Sequence, residues 1–343
     1  MRIGLIGLGR IGAFHATTLA GLEHVEELVV TDPVAAAVDA VTGRIAKARA
    51  VADPAVLLAD GLDGVVIAAA TDTHADLIRA AVAQGIPTLC EKPIAGTLAD
   101  ALAVEAAVAE SDVPVQIGYP RRFDPAFVAA RDAVRSGTLG RITTVRSTTL
   151  DPAPPPAAYL AVSGGVFRDC SVHDFDAVRW VTGQEVVEVY ATGAVDPDAP
   201  HEMYAAHGDH STVSALLTLS DGTIGVVSNT RTNGRGYDVR LEVHGVKDAV
   251  AAGLDEGLPL RSTQPGITWP SGPAHEFFMD RLTEAFRTEM GVFTQVAAGE
   301  VDNPCTVADA MGTTWTAEAA TLSAAEHRPV TIEEVRASAS ASR

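Results

Sequence analysis

The chain of 343 residues has few basic side chains for its length. It contains 25 Lys and Arg against 44 Asp and Glu, which gives a formal net charge of −19. Nucleic acids and anionic membrane surfaces are bound through clustered Lys and Arg, so this balance argues against both kinds of partner. Many soluble enzymes are equally acidic, and the charge therefore excludes partners without identifying an activity.

Cysteines are few and long apolar runs are missing. Cys90, Cys170 and Cys305 are odd in number, far apart and without a CxxC pair, which argues against a disulfide framework and a thiolate zinc site. No apolar run approaches the roughly 20 residues of a membrane span, and the first apolar segment is too short for the core of a signal peptide. We therefore expect a cytoplasmic protein with no membrane partner.

Hydrophobic residues make up 47% of the chain, and its length predicts two domains. In the first third, short apolar segments predict five buried strands: Ile3–Ile6, Leu28–Thr31, Val65–Ala69, Ile86–Cys90 and Val113–Ile117. Ala-rich patterns between them predict four helices: Ala13–Leu22, Ala35–Ala48, Ala75–Gln84 and Leu98–Glu110. This alternation is typical of a doubly wound parallel α/β sheet, which we place at residues 1–120.

After residue 120 the predicted strands are longer: Ile142–Leu150, Val186–Ala194, Ser211–Ser220, Thr223–Thr232 and Tyr237–Gly245. Four helices are predicted around them: Pro125–Ser136, Ser171–Thr182, His275–Ala298 and Cys305–Glu326. Residues 121–336 are thus predicted to form a second α/β domain with an open-faced, mainly antiparallel sheet, and the last helix is expected to pack back on the first domain. Asp221-Gly222 predicts a tight hairpin. Residues 151–156 are Pro-rich and predict an extended loop, and residues 337–343 are expected to fray.

Three glycines follow the first predicted strand, in the hexapeptide Gly7-Leu8-Gly9-Arg10-Ile11-Gly12. In a dinucleotide-binding βαβ unit the first glycine permits a tight turn, the second lets the backbone approach a pyrophosphate, and the third lets the helix pack close to the strand. The N-terminus of that helix offers unpaired N–H groups and a positive dipole end to the phosphates. The alternative is a glycine-rich turn in another kind of α/β protein.

Asp32 ends the second predicted strand and lies 20 residues past Gly12. A carboxylate at this position accepts hydrogen bonds from the ribose hydroxyls of NAD and repels the 2′-phosphate of NADP. No cation follows in Pro33-Val34-Ala35 to offset that repulsion. The sequence therefore favours NAD as the cofactor, and the alternative for Asp32 is a plain turn residue.

Two further polar segments follow predicted strands: Thr71-Asp72-Thr73-His74 and Glu91-Lys92-Pro93. Because the carboxyl ends of parallel strands form the ligand crevice of an open sheet, both segments are expected to face the glycine motif. The predicted cofactor-binding residues among them are Thr71, Thr73, His74, Glu91 and Lys92. Lys92 precedes a proline, which favours an extended backbone that directs its side chain. For Glu91 and Lys92 a surface ion pair is the alternative.

A third polar segment holds Asp169, His173 and Asp176 at spacings that would put them on one face of a helix. An imidazole that titrates near neutrality beside a carboxylate is suited to take a proton from a hydroxyl. The alternative is that Asp169 caps a helix and that His173 is a buried, hydrogen-bonded core residue.

Five residues look like a metal-binding cluster: His201, Glu202, His207, Asp209 and His210. Their spacing does not follow a helical repeat, and Gly and Asp lie among them. We therefore expect a solvated loop and no bound metal.

In this order, the motifs resemble those of the glucose–fructose oxidoreductase, inositol dehydrogenase and MocA family, and the resemblance extends over nearly the whole chain. It rests on five features: Gly7–Gly12 continued to His15, Asp32, Thr71–His74, Glu91–Pro93, and Asp169 with His173. The segments Gly118–Pro125 and His173–Asp176 are most similar to the inositol 2-dehydrogenase branch.

The resemblance implies an N-terminal Rossmann domain and a C-terminal domain whose open sheet assembles subunits, commonly into a homotetramer, with a dimer as the alternative. It implies that Lys92, Asp169 and His173 form the catalytic group and contact the substrate. It also implies that Asp176 and Tyr237 bind the substrate. Residues 151–163 have no clear counterpart in the family pattern.

The activity that the resemblance implies is NAD-dependent oxidation of a cyclic polyol or sugar hydroxyl to a ketone, with myo-inositol as the expected substrate. The same reaction on another sugar or inositol isomer is the first alternative. An NAD-dependent glycosidase is the second, and a non-catalytic NAD-binding sensor is the least expected.

Overall fold

The computed structural model describes residues 1–196, 201–234, 236–255 and 273–341. They fall into two compact units, one formed by Met1–Pro120 with Glu284–Met311 and the other by Arg121–Thr283 with Gly312–Arg343. Within the described ranges, no helix is long and apolar enough to cross a membrane.

The first unit contains a sheet of six parallel strands: β1 Arg2–Ile6, β2 Glu27–Thr31, β3 Ala48–Ala50, β4 Gly64–Ile67, β5 Thr88–Glu91 and β6 Val115–Gly118. Their order in the sheet is β3-β2-β1-β4-β5-β6. Five helices lie between them in the sequence: α1 Arg10–Gly21, α2 Ala35–Thr42, α3 Pro54–Leu58, α4 His74–Ala83 and α5 Leu98–Ala109. The predicted doubly wound parallel sheet is confirmed.

The strand order reverses between β1 and β4, because the chain first runs outward to β3 and then returns to the other side of β1. In sheets of this kind, ligands bind outside the carboxyl ends of the strands at such a reversal. Strand β4 is buried along its whole length, as expected where helices cover both faces of a parallel sheet. The fold therefore directs attention to the segments that follow β1, β2, β4 and β5.

Edge strand β3 was not predicted, and helix α2 ends at Thr42 where a helix to Ala48 was expected. The strand is only three residues long and is mostly exposed. Its central Arg49 pairs with Glu27, at 2.7 Å from Nε to Oε1. A short, charged edge strand has no apolar periodicity, so a search for such periodicity could not find it.

The second unit contains seven strands: β7 Ile142–Leu150, β8 Val186–Ala194, β9 Thr212–Leu219, β10 Ile224–Thr230, β11 Asp238–Gly245, β12 Ala249–Ala252 and β13 Val330–Thr331. Their order is β12-β11-β7-β10-β9-β8-β13. Strands β7 and β10 pair in parallel, and the other neighbours pair antiparallel. The predicted mainly antiparallel sheet is confirmed.

The remaining helices are α6 Pro125–Arg135, α7 Ala157–Ser163, α8 Val166–Asp169, α9 Val172–Thr182, α10 His201–Ala205, α11 Phe278–Arg281, α12 Thr283–Ala297, α13 Val307–Glu326 and α14 Ile332–Ala341. Helix α9 packs against β7 and β10. The side chains of β9 alternate between buried and exposed, so its sheet has one covered and one open face. Tyr190 and Leu216 are cross-strand neighbours and both are exposed on the open face.

Local predictions in this unit had mixed outcomes. The Asp221-Gly222 hairpin is confirmed: Gly222 has φ +84°, and Leu219 N donates to Thr223 O over 3.0 Å. Residues 151–156 form a loop as expected, but helix α7 follows them without having been predicted. The expected fraying after Ala337 is wrong as far as Ala341, since α14 continues through that stretch. There the hydroxyls of Ser338 and Ser340 donate to carbonyls four residues back, which is compatible with a helix.

Helix α12 contributes to the core of the first unit although it follows the strands of the second in the sequence. Phe293 is fully buried in a cluster with Ile3, Leu5 and Leu28. A Cβ atom added to Gly64 on β4 would lie 3.2 Å from the Phe293 ring, so the helix and the strand approach each other closely. The first core is thus completed by a distant part of the chain.

We predict that Phe293→Ala destabilises the protein by about 3–5 kcal/mol, because it leaves a cavity in a packed core. Urea denaturation followed by circular dichroism measures this loss. Val301→Ala, at an exposed position shortly after the same helix, is the control and should change stability by less than about 0.5 kcal/mol. Equal stability of the two variants would contradict the assignment of Phe293 to this core.

Candidate active site

The glycine motif forms a tight turn between β1 and α1. Gly7 has φ +92°, and a Cβ atom there would lie 2.5 Å from Ala68 O. A Cβ atom on Gly12 would lie 2.0 Å from Gly7 O. Both positions therefore require glycine, the first for its backbone conformation and the second because the helix packs directly on the turn.

Gly9 differs from these two glycines. Among the described residues, no heavy atom outside its chain neighbours lies within 4 Å of a Cβ atom built on it. It is the N-cap of α1, and no side chain caps this helix end by a hydrogen bond. The first turn, which begins with Arg10 and Ile11, contains no acidic residue. The turn thus offers open space and backbone N–H groups to a dinucleotide pyrophosphate.

Asp32 lies beside this turn at the end of β2. Its Oδ2 accepts a hydrogen bond from Leu8 N over 2.6 Å, and its Oδ1 accepts one from Val34 N over 2.7 Å. The carboxylate is therefore fixed next to the glycine motif, and its half-buried position leaves it reachable from solvent. This arrangement fits the adenosine ribose of NAD.

The segment after β4 forms a short 3-10 turn, Thr71–Thr73, followed by α4. Thr73 donates its hydroxyl to Ala70 O over 2.7 Å. His74 is buried, with Nδ1 2.8 Å from Pro93 O and Nε2 3.2 Å from Ala69 O. The imidazole therefore links the segment after β4 to the one after β5, which carries Lys92.

Glu91 is largely buried, which does not fit the alternative of a surface ion pair. Its Oε1 lies 2.7 Å from Nε2 of His15, and His15 on α1 is fully buried. A Cβ atom added to Gly118 would lie 3.1 Å from the second oxygen of Glu91, so β6 also confines this carboxylate. His15 was noted only as part of the family motif, and its pairing with Glu91 required the structure.

In the second unit, Asp169 and His173 do not lie on one continuous helix, and this part of the prediction is wrong. Asp169 ends α8, and His173 lies in the first turn of α9. Ser171, between the two helices, donates its N–H to Val166 O over 3.0 Å and its hydroxyl to Asn229 Oδ1 over 2.6 Å. These hydrogen bonds fix the short segment that separates α8 from α9.

Asp169 is held by two side chains that the sequence did not single out. Its Oδ1 accepts the Tyr159 hydroxyl over 2.7 Å, and its Oδ2 accepts a bond from Arg231 Nη2 over 3.1 Å. Tyr159 belongs to α7, in the stretch for which the family pattern gave no contact. No local pattern links these residues to Asp169, because Arg231 is 62 positions away.

Asp174, directly after His173, is a buried carboxylate that sequence reasoning also missed. Four donors contact it over 2.5–2.8 Å: Arg121 Nη1, Ser147 Oγ, Thr149 Oγ1 and Asn229 Nδ2. They come from the turn after β6 and from strands β7 and β10. This network fixes the first turn of α9 and with it the backbone of His173.

Asp176 and Tyr237, the two predicted substrate-binding residues, are both buried. Asp176 Oδ1 lies 2.6 Å from Nη2 of Arg122, and its Oδ2 lies 3.0 Å from Nε, so the guanidinium binds it through two atoms. Tyr237 N donates to His275 O over 2.7 Å. Burial raises the pKa of the Tyr237 phenol above its ordinary value, with Arg121 acting in the opposite direction.

The expectation of a solvated loop around the suspected metal cluster holds for exposed His207 and is wrong for Asp209. Asp209 is buried and its Oδ2 accepts a hydrogen bond from Arg231 Nη1 over 2.5 Å. The structure does not describe the side chains of His201 and Glu202. Among the residues that are described, no three His, Cys, Asp or Glu side chains are placed to hold a metal ion.

We predict that Gly12→Ala weakens NAD binding at least about a hundredfold, because its Cβ would collide with Gly7 O and displace the turn. Isothermal titration calorimetry with NAD measures the change. Gly21→Ala is a matched control at the other end of α1, where an added Cβ has no described neighbour within 4 Å. Its affinity should equal that of the unmodified protein. Equal binding by both variants would contradict the assignment of the turn to NAD.

Individual relatives match this chain over almost its entire length. The inositol 2-dehydrogenase of Rhizobium meliloti is 38% identical over 333 residues, which cover 97% of this chain and 99% of the relative. The crystal structure of a myo-inositol dehydrogenase from Corynebacterium glutamicum has a TM-score of 0.88 at 35% identity, covering 96% of this chain and 98% of that one. The scyllo-inositol dehydrogenase of Lactobacillus casei with bound NAD(H) and scyllo-inositol has a TM-score of 0.85 at 28% identity, covering 97% and 99%.

Family models account for both parts of the fold. Residues 1–119 match the model described as an oxidoreductase family with an NAD-binding Rossmann fold. Residues 127–251 match the GFO/IDH/MocA C-terminal domain. The resemblance inferred from the sequence motifs is confirmed. The chain belongs to the Gfo/Idh/MocA family of oxidoreductases, and its N-terminal part is an NAD-binding Rossmann domain.

Proposed function

We propose that this protein is an NAD-dependent dehydrogenase that oxidises a ring hydroxyl of a cyclic polyol to a ketone, with myo-inositol as its substrate. The observation that carries the proposal is the 38% identity to an inositol 2-dehydrogenase over 97% of the chain. The glycine turn and Asp32 are suited to bind the cofactor. Asp169, which is fixed beside the first turn of α9, is suited to orient a catalytic base or the substrate.

The residues for the cofactor come from the carboxyl ends of the strands in the first unit. The N–H groups after Gly9, at Arg10 and Ile11, take the pyrophosphate, and Asp32 takes the adenosine ribose. Four side chains after β4 and β5 are proposed to line the rest of the cofactor site: Thr71, Thr73, Glu91 and Lys92. His74 contributes by holding the Pro93 carbonyl. When bound, NAD supplies a hydride acceptor.

The proton of the reacting hydroxyl is taken by His173. An imidazole has an ordinary pKa close to neutrality and can act as a base without being strongly perturbed. Lys92 donates a hydrogen bond to the reacting oxygen and orients it. Asp169 orients His173 or the substrate through its carboxylate.

Specificity for a polyol requires polar groups for the neighbouring hydroxyls. We assign this task to Asp176 and Tyr237. A buried polar group that loses its substrate partner is left unpaired, and this discriminates strongly against a wrong sugar. Arg122 holds Asp176 through two atoms, so that carboxylate is presented in one orientation.

A second candidate substrate is scyllo-inositol, because a relative with this name shares the fold at a TM-score of 0.85. The two isomers differ in the configuration of one hydroxyl. Comparing kcat/KM for both isomers, with NAD and NADP tested separately, distinguishes the substrates and examines the role of Asp32 in the same experiment.

We predict that Lys92→Ala and His173→Ala each lower kcat/KM for myo-inositol at least about a hundredfold, the usual scale for removing a general acid or base. NADH absorbance measures the rate. Exposed Lys247→Ala and His207→Ala are the controls and should leave the rate unchanged. Near-normal turnover by both site variants would exclude the proposed catalytic roles.

We also propose that the protein assembles through the open face of the second sheet, as a homotetramer. Apolar side chains on that face support this proposal: Val187, Tyr190, Leu216 and Ile224 are exposed in the isolated chain. Several exposed apolar side chains on one sheet are typical of a protein interface. The proposed location is the cytoplasm, which agrees with three buried cysteines that form no disulfide within the described part of the chain.

We expect Leu216→Asp to reduce the assembly to smaller species, because it would bury a charge in the proposed interface. Size-exclusion chromatography with light scattering gives the mass. Val56→Asp, at an exposed apolar position in the first unit, is the control and should keep the mass of the unmodified protein. An unchanged mass for Leu216→Asp would place the interface elsewhere.

A further inference from the structure

We propose that Arg231, anchored by Asp209, and Tyr159 act together as positioning residues that clamp the carboxylate of Asp169. The inference rests on the proposed function, since Asp169 matters for turnover only if the chain is a dehydrogenase of the proposed kind. The sequence motifs assigned no role to Arg231 or Tyr159, and they singled out Asp209 only as part of an apparent metal-binding cluster.

The guanidinium of Arg231 lies between two carboxylates. Its Nη1 is 2.5 Å from Asp209 Oδ2, and its Nη2 is 3.1 Å from Asp169 Oδ2. The side chains of Arg231 and Asp209 are 1% and 2% exposed, whereas that of Asp169 is 15% exposed. Asp209 is thus the buried anchor of the arginine, and Asp169 is the end that solvent or a substrate can reach.

Asp209 also fixes the helix that carries Asp169. Its Oδ1 accepts a hydrogen bond from Val166 N, the first residue of α8, over 2.8 Å. Asp169 is the last residue of the same helix. Asp209 therefore holds the beginning of α8 directly and its end through Arg231. This double attachment makes the backbone and the side chain of Asp169 depend on one buried carboxylate.

Tyr159 holds the other oxygen. Its hydroxyl donates to Asp169 Oδ1 over 2.7 Å, while Arg231 donates to Oδ2. Two donors from different elements, one on each oxygen, restrict the rotation of the carboxylate plane. Both donors favour the ionised form of Asp169. Asp169 is thereby suited to orient a neighbouring imidazole or hydroxyl, and the proton transfer falls to His173.

The charge balance supports this role. Burial lowers the pKa of Arg231, but Asp209 and Asp169 raise it by more, so the arginine stays charged. The charged guanidinium attracts both carboxylates, and Asp169 is the more exposed of the two. Asp209 and Arg231 also anchor α8, whereas the Tyr159 hydroxyl contacts the carboxylate of Asp169 itself.

The first test is Tyr159→Phe, which removes one hydroxyl from a side chain that is 44% exposed and should not disturb folding. We expect kcat/KM for myo-inositol to fall about tenfold, as for loss of one hydrogen bond to a charged group. NAD affinity and thermal stability should stay unchanged. Tyr204→Phe, which removes a buried hydroxyl that has no hydrogen-bond partner among the described residues, is the matched control and should keep full activity. Full activity of Tyr159→Phe in an active enzyme would overturn the proposal.

The second test does not depend on activity. Carbon-13 NMR of aspartate-labelled protein, with Asp169→Asn identifying the signal, follows the titration of Asp169. The groups around it include Arg231 and Tyr159 at its two oxygens, Asp209 behind the arginine, the adjacent Cys170, whose Sγ lies 4.0 Å from Asp151 Oδ2, and His173 four positions on. We expect the pKa of Asp169 to rise in Tyr159→Phe and in Arg231→Lys, and to stay constant in Tyr204→Phe.

The two tests separate the proposals. A raised pKa of Asp169 in a protein that oxidises no polyol would leave the clamp standing and refute the proposed function. An unchanged titration in both Tyr159→Phe and Arg231→Lys would refute the clamp whatever the activity.

Discussion

In the second unit, four hydrogen-bond donors converge on the fully buried carboxylate of Asp174, and they come from a turn and two strands that are far apart in the sequence. Removing one partner of a buried ion pair leaves an uncompensated charge, at a cost of about 3–5 kcal/mol. The first turn of α9 can therefore occupy only the position that completes this network. This constraint also fixes the backbone position of His173, which directly precedes Asp174.

Arginine–carboxylate pairs also hold other acidic residues around the candidate site. Arg122 holds Asp176 through two atoms, and Arg231 joins Asp209 to Asp169. Arg122 contacts both oxygens of Asp176 and so fixes the plane of that carboxylate, whereas Arg231 uses its two terminal nitrogens to join two carboxylates. A site that binds the hydroxyls of a ring needs polar side chains in defined orientations. The buried arginines hold the carboxylates in such orientations.

The first unit depends on shape more than on charge. Gly12 lets α1 pack on the turn at Gly7, and the open space at Gly9 is left where a pyrophosphate would lie. The hydrophobic core of the first unit is completed by Phe293, which belongs to a helix much later in the chain. The acidic composition is compatible with this arrangement, because a glycine turn at a helix N-terminus offers backbone N–H groups to phosphates and needs few basic side chains.

The sequence by itself determined the features that depend on neighbouring positions: the alternation of strands and helices, the glycine turn, Asp32 and the hairpin at Asp221-Gly222. Spacing and periodicity report such features because one or two secondary-structure elements create them. The sequence could not reveal the short edge strand β3, the helix break between Asp169 and His173, or the hydrogen-bond partners of Asp169. The tertiary structure alone decided these, because a buried charge is paired with whichever donor the packing brings near. Tyr159 and Arg231 meet Asp169 through folding, and no local pattern connects them.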